Sequence, residues 1–318
     1  MFSAVMEKIR AYDTVIIHRH SSPDGDAMGS QVGLKHILRD SFPGKKVFAV
    51  GDGAGRYAFM ADSVMDEVPD DMYRSALAVI LDTSSERLIS DDRWRGAAAT
   101  ARVDHHLFTG KIADAEAVDP SYESCCGMIA AMAMEYGLTV SPLAAGSLFT
   151  GMVTDSGRFR YSGTTERTFR LAAFLTEKGF DMDAVWRGLY TQSLADVRLR
   201  GHFYEKIRVT PHGAGYIYTD REEMAGLGKS DFEISRGMVN VMADIEEIRV
   251  WVNFTETEKG VACELRSRDV SINPVAVKYG GGGHPRASGA TVKDRQEAMA
   301  MLSDLDELAA EGEKQSGE

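Results

Sequence analysis

The chain has 318 residues, 44% of them hydrophobic and 26% charged, with 36 basic against 48 acidic side chains and a net charge of -12. This composition is globular, and the length exceeds one usual domain, so two domains are expected. The acidic balance excludes sequence-independent grip on long duplexes, which rests on many Lys and Arg contacts to phosphates. Any nucleic-acid ligand has to be short or held in a locally basic cleft. No window approaches the roughly 18 apolar residues of a membrane span, and "MFSAVMEKIR" lacks the layout of a secretory signal. Cys125 and Cys126 are adjacent and only one further cysteine exists, so there is neither a disulfide framework nor a CxxC zinc pattern, and a cytoplasmic location is expected.

In chain order, short apolar runs alternate with helical patterns. The run "TVIIH" precedes "MGSQVGLKHILRD"; "KVFAV", "ALAVILD" and "ARVDHH" follow, then "CCGMIAAMAMEYG". Such alternation predicts α/β units around a parallel sheet, whose chemistry sits at the carboxyl ends of the strands. Residues 141 to 206 read as mostly helical, with a first domain over 1–187, a helical linker over 188–203 and a second domain over 204–318. Beyond the linker, "AGYIYTD", "EIRVWVNFTET" and "GVACELRSR" predict strands of a smaller α+β domain. The last eight residues, "EGEKQSGE", read as a disordered tail.

The predicted strand ends carry acids and imidazoles: His20, Asp24 and Asp26 in "HRHSSPDGDAMGS", Asp82 closing "ALAVILD", and Asp104, His105 and His106 closing "ARV". Asp155 follows a helical apolar stretch. Taken singly, Asp-Gly-Asp makes turns, and Asp26 or Asp82 can cap a helix. Capping does not require all of them to meet at one edge of a sheet. Carboxylates a few Å apart raise one another's pKa unless a cation joins them. Two divalent ions held by Asp24, Asp26, Asp82 and Asp155 with neutral His20 and His105 would balance the charge. Carboxylate and imidazole without thiolate suit Mn²⁺ better than Zn²⁺ or Ca²⁺. Two metals roughly 3.5 to 4 Å apart form a clamp for in-line displacement at phosphorus.

The motifs "HSSPDGDAMGS", "LDTS", "VDHH" and "TDSGRFRY", followed by "ELRSR" and "GGGGHPRASG", resemble in residues and order the DHH phosphoesterase superfamily with its DHH-associated (DHHA1) domain. Length and domain pairing look most like its group of bifunctional oligoribonucleases and PAP phosphatases (NrnA type). The resemblance implies a Mn²⁺-dependent hydrolase of short RNA and of 3′-phosphoadenosine 5′-phosphate (PAP), with the active site in an interdomain cleft. It implies that His20 and Asp24 hold one metal, that Asp26, His105 and Asp155 hold the other, and that Asp82 bridges them. It further implies that Asp104 orients a ligand histidine and that His106 faces the phosphate or leaving oxygen.

Four consecutive glycines alone would make a hinge, but Gly282 and Gly283 also let backbone N–H groups approach a phosphate, with His284 and Arg286 as donors. Alternation puts Arg266 and Arg268, flanking Ser267, on one strand face, where two guanidiniums suit a terminal phosphate. Arg158 is placed to steady the scissile phosphate. Phe159 and Tyr161 fit base stacking or core packing equally. His18, His36, His202 and His212 are assigned structural or surface roles.

The expected partners are therefore short RNA oligonucleotides, PAP or dinucleotides. A phosphodiesterase of cyclic or linear dinucleotides is the alternative, and a homodimer is compatible with the sequence. A non-catalytic nucleotide-binding scaffold would be expected to have lost ligands, and all six are present.

Overall fold

The computed structural model describes residues 1–316, with side chains through Glu311. The chain divides into two units, Met1–Thr191 and Gln192–Glu318. The first contains α1 (Ser3–Ala11), β1 (Thr14–His18), α2 (Gly25–Ser41), β2 (Lys46–Ala49), β3 (Leu77–Leu81), β4 (Ala99–Asp104), β5 (Ala115–Val118), α3 (Cys125–Glu135), α4 (Pro142–Asp155), α5 (Glu166–Thr176) and α6 (Met182–Tyr190). Its five strands are all parallel, in the order β2-β1-β3-β4-β5. Val15 and Ile17 of β1 enter the main core while Ile16 enters a smaller one on the other face. Burial on both faces explains why these strands read as unbroken apolar runs rather than alternating ones. The chain reverses its direction of travel across the sheet between β1 and β3, and a crevice forms at such a switch point beyond the carboxyl ends of the strands.

Helix α2 packs on α4 through a glycine stripe. A Cβ added at Gly25 would lie 2.3 Å from Thr154 Oγ1, at Gly29 2.5 Å from the Ser147 carbonyl, and at Gly33 2.6 Å from Leu148 Cδ2. One glycine per turn thus removes side chains from one helix face and lets the backbones meet. Helix α2 begins at Gly25, three residues before its expected start, so this glycine serves the close helix contact rather than a turn between two aspartates.

The second unit contains α7 (Leu194–Lys206), β6 (Arg208–Val209), β7 (Ala214–Thr219), α8 (Arg221–Leu227), α9 (Asp231–Met238), β8 (Val250–Thr257), β9 (Gly260–Ser267), α10 (Asn273–Lys278), β10 (Gly282–His284), β11 (Ala287–Val292) and α11 (Arg295–Ser316). Its sheet, ordered β10-β11-β9-β8-β7-β6, is mixed, with β7 and β8 the parallel pair. Val250, Val252 and Phe254 face one core and Trp251 the other, as a period of two demands.

The structure places three segments singled out in the sequence, and corrects the last of them. Residues 188 to 203 span the end of α6, the division between the two units after Thr191 and most of α7, whose Phe203 is buried in the second unit's core. Gly282 and Gly283 of the glycine run lie in β10, paired antiparallel with β11. The C-terminal segment expected to be disordered is helical through Ser316, and residues 317–318 of that tail lie outside the described residues.

Candidate active site

The loop after β1 is held open by a buried arginine. The Arg19 side chain is fully buried and pairs with Asp52 Oδ1 at 2.7 Å while its Nε donates to Gln31 Oε1 at 2.9 Å. Asp52 Oδ2 then accepts from the Ser22 amide at 2.7 Å, and Ser22 itself is left-handed at φ 52°. Gln31 in turn donates to the carbonyls of Ile17 and Val50, tying α2 to β1 and to the end of β2. Asp24 caps α2: its Oδ1 accepts from the amides of Asp26 and Ala27, each at 3.0 Å.

Two triads of candidate ligands lie side by side at the β1/β3 switch point. In each of the sets His20, Asp24, Asp82 and Asp26, His105, Asp155, one donor atom per residue lies within 4.8 Å of the others. His20 Nε2 is 3.7 Å from Asp24 Oδ1 and 3.5 Å from Asp82 Oδ2. His105 Nε2 is 3.7 Å from Asp26 Oδ2, 3.5 Å from Asp82 Oδ1 and 3.3 Å from Asp155 Oδ2. Asp82 therefore stands between the two histidines, one carboxylate oxygen toward each. Its own backbone is left-handed at φ 50°, strain of the kind that collects at functional sites.

The tautomers follow from the partners. His20 Nδ1 lies 2.8 Å from the Ser21 carbonyl and His105 Nδ1 3.4 Å from that of Tyr122. A carbonyl can only accept, so each Nδ1 carries a proton and Nε2 is the nitrogen turned toward the carboxylates. Asp82 Oδ1 is buried with no hydrogen-bond donor among the described residues. Imidazole nitrogens turned toward four carboxylates and a buried carboxylate oxygen with no hydrogen-bond partner among the described residues fit divalent cations. The nearby thiols do not compete as ligands, because burial and the Asp26 charge push Cys125 and Cys126 well above the usual thiol range. The donor set is thus oxygen and imidazole nitrogen.

Without a cation the cluster retains protons. Burial, reinforced by Asp82, raises Asp26 well above the carboxylate range, and burial lifts Asp155 to about 7. Burial works against charge on the imidazoles, yet the facing carboxylates of Asp24 and Asp82 bring His20 to about 11, and those of Asp82, Asp26 and Asp155 bring His105 to about 10. Asp82 moves down: burial opposes its ionisation, but both histidines outweigh it.

Asp104 is not in either triad. Its Oδ1 lies 2.7 Å from His106 Nδ1 and accepts from the His106 amide, while Oδ2 pairs with Arg102. His106 Nδ1 is also 3.6 Å from Asp82 Oδ1. Arg102 and Asp104 are both fully buried, and Arg102 also reaches the Gly110 carbonyl. The strand alternation that turns Arg102 inward gave no warning of a buried charge. A second feature missed is the seat of Asp26: its two carboxylate oxygens accept from the amides of Cys125 (2.7 Å) and Cys126 (2.8 Å) at the start of α3. A helix N-terminus favours the negative charge placed there. That is the use of "SYESCCG".

Arg158 follows α4 in a run of three left-handed residues, Gly157, Arg158 and Phe159 (φ 57°, 64° and 61°), with its guanidinium 5.8 Å from the Tyr190 ring. Phe159 packs on Phe149 and Phe169 while Tyr161 is exposed. His18 is buried against Tyr73. His36, His202 and His212 each face a carboxylate outside the cluster: Asp62, Glu223 and Asp306.

In the second unit, Arg266 pairs with Glu264 at 3.2 Å. Strand β9 stops at Ser267, so Arg268 lies beyond the alternation expected for it. Its guanidinium donates to the carbonyls of Ala243, Ile245 and Glu246, and the buried Ser267 hydroxyl donates to Val270, so neither side chain is presented as expected. Gly283 has φ 135°, and a Cβ there would meet the Ala287 carbonyl at 2.7 Å; the hairpin itself requires glycine. His284 is exposed, and Arg286 donates to the Arg268 carbonyl at 3.2 Å.

Residues 14–152 match the family described as "DHH family, N-terminal domain", and residues 226–311 match "DHHA1 domain". The bifunctional oligoribonuclease and PAP phosphatase NrnA of Bacillus subtilis (strain 168) is 35% identical over 98% of this chain and 100% of its own. The chain belongs to the DHH family. It is a hydrolase acting on phosphoester bonds. The probable NrnA of Streptococcus mutans serotype c is 34% identical over 96% of this chain and 98% of its own. The crystal structure of an exopolyphosphatase-related protein from Bacteroides fragilis superposes with TM-score 0.86 at 25% identity, covering 96% of each chain. No helix among the described residues is long and apolar enough to cross a membrane.

Proposed function

We propose that this chain hydrolyses short oligoribonucleotides to mononucleotides and PAP to AMP, using two divalent cations, Mn²⁺ foremost. The observation that carries the reading is the pair of His/Asp triads at the switch point of a DHH-family sheet, with Asp82 of the first also 3.5 Å from His105 of the second. His20 and Asp24 would hold one ion, Asp26, His105 and Asp155 the other, with Asp82 common to both. Bound there, such ions supply Lewis-acid charge and a water nucleophile at neutral pH.

The remaining work falls to the chain. The α3 amides and the glycine seam fix Asp26 against α4, and the Ser21 and Tyr122 carbonyls hold each imidazole with Nε2 inward. Asp104, kept ionised by His106 and Arg102 against the effect of burial, takes the Nδ1–H of His106. That leaves His106 Nε2 to address the scissile phosphate or to protonate the leaving oxygen, and hydrogen bonding to Asp104 raises its pKa so that it keeps a proton to give. Arg158 offers a further cation to the phosphate. In the second unit, Arg266, His284 and Arg286, with the Gly282–Gly283 backbone, serve as anchors for a terminal phosphate. An overall acidic surface suits ligands that need only local cations, and three unpaired thiols suit the cytoplasm.

A Mn²⁺ substrate panel tests this: PAP, 5′-phosphorylated dimers to heptamers, cyclic dinucleotides, pyrophosphate and long single strands. The expected result is AMP from PAP and mononucleotide release that declines steeply with oligomer length. Hydrolysis confined to pyrophosphate would overturn the reading, and hydrolysis confined to cyclic or linear dinucleotides would replace it with a dinucleotide phosphodiesterase.

A further inference from the structure

The loops after β3 and β4 supply Asp82, His105 and His106 and then continue into a second feature. Ser84, Ser85, Glu86, Arg87, Arg95, Thr109 and Lys111 line an open groove of about 440 Å³, within the size range of small-ligand sites. Its walls are tied together, since Thr109 Oγ1 donates to the Ser84 carbonyl at 2.8 Å. They are also tied to the cluster: Leu88 accepts from the Ser21 amide at 2.7 Å, and Ile89 bridges to His20. Arg95 is paired with Glu86 and Asp92. Arg87 and Lys111 are exposed and form no ion pair among the described residues.

Between His106 and the groove lie Leu107 and Phe108, which are 75% and 61% exposed. Two apolar side chains in water at a loop tip, followed at once by a hydroxyl and a cation, form the pairing that single-stranded nucleic acid meets: an aromatic face for a base and a cation for the backbone. The other large groove of this unit has the opposite character. It is lined by Asp52, Asp66, Glu67, Asp91 and Asp92, and its Arg93 is already paired with Asp70 and Asp91. An anion is repelled there.

We propose that the groove bounded by Arg87 and Lys111, with the exposed Phe108 next in sequence to its Thr109, is the subsite for the nucleotide next to the one being released from a short single-stranded oligoribonucleotide. Arg87 and Lys111 take its phosphodiester and Phe108 stacks on its base. The inference rests on the oligoribonucleotide reading above. It adds a determinant of substrate class: PAP, with a single nucleoside, has nothing to place in this groove, whereas a trinucleotide has.

The test compares kcat/KM for a 5′-phosphorylated trinucleotide with that for PAP, with Mn²⁺, in the wild type, in the double variant Arg87→Ala/Lys111→Ala and in Phe108→Ala. The ratio is expected to fall at least tenfold in each variant, mainly through KM for the trinucleotide. The salt dependence of log(kcat/KM) on the trinucleotide should also flatten by about 1.4 in slope in the double variant, for two lost phosphate contacts on a single strand. An unchanged ratio, or an equal loss on both substrates, overturns the subsite while leaving the activity in place. Wild-type protein that leaves the trinucleotide intact overturns the functional reading and the subsite with it.

Discussion

Gly29→Ala asks whether the α2/α4 seam positions the cluster. In an open helix interior the exchange would favour folding by roughly 0.8–1.0 kcal/mol, since Ala is the better helix former. Here the added Cβ would sit 2.5 Å from the Ser147 carbonyl, 2.9 Å from Cys126 Sγ and 3.1 Å from the Gly151 amide. Two of those neighbours are backbone and cannot swing aside, so restoring ordinary contact moves α2 from α4 by roughly 1 Å. Overpacking of this kind costs about 1–3 kcal/mol and commonly exceeds the propensity gain. A net loss of about 1–2 kcal/mol lowers Tm by roughly 2–8 °C for a unit of this size. The functional cost is larger, because α2 presents Asp24 and Asp26 while α4 ends on Asp155. A 1 Å misplacement near reacting groups can cost on the order of 100-fold in rate. Thermal unfolding and kcat on PAP are the assays, with Gly44→Ala, where a Cβ meets nothing within 4 Å, as control. Wild-type Tm and turnover in Gly29→Ala would refute the argument that the seam sets the geometry.

Other perturbations separate the remaining parts. Removing the guanidinium in Arg102→Met leaves the buried Asp104 with His106 as its one remaining charged partner among the described residues, and should cost up to about 3–5 kcal/mol by urea unfolding. Adding Asp104→Asn should return part of that loss, and strict additivity would show that the pair is not coupled. Cation binding should strengthen as pH rises through 7. Asp155, raised to about 7 by burial, must release its proton, burial also raises Asp26, and both imidazoles hold their protons more tightly than Asp155. Calorimetric Mn²⁺ titrations at pH 6 and 8 measure this, and equal affinity with no proton release would contradict the protonated state of the cation-free cluster.

The members of the triads were legible because Asp and His are unusual closures for apolar strands, and a parallel sheet gathers those closures at one edge. The order β2-β1-β3-β4-β5 adds the reason the gathering is tight: the loops after β1 and β3 are neighbours at the switch point. Arg102 and Arg19 were not legible, since a lone arginine in a short strand or loop reads as solvated until its acidic partner arrives from elsewhere in the fold. The seat of Asp26 joins residues about 100 apart in sequence, which no local pattern reports. Arg268 was misplaced because β9 ends one residue too early for alternation to reach it. The short strands β5, β10 and β11 escaped notice for a related reason: Ala, Glu and Gly carry little β signal, and their pairing comes from neighbours.

The central claim is that two cations share Asp82 and that both are needed for phosphoester hydrolysis. Metal-stripped protein titrated with Mn²⁺, with bound metal and PAP hydrolysis followed together, tests it directly in the wild type and in Asp82→Asn. The account predicts two ions per chain, turnover that rises only as the second binds, and no turnover in a folded Asp82→Asn variant. Full activity in the stripped protein, or at one ion per chain, would contradict it.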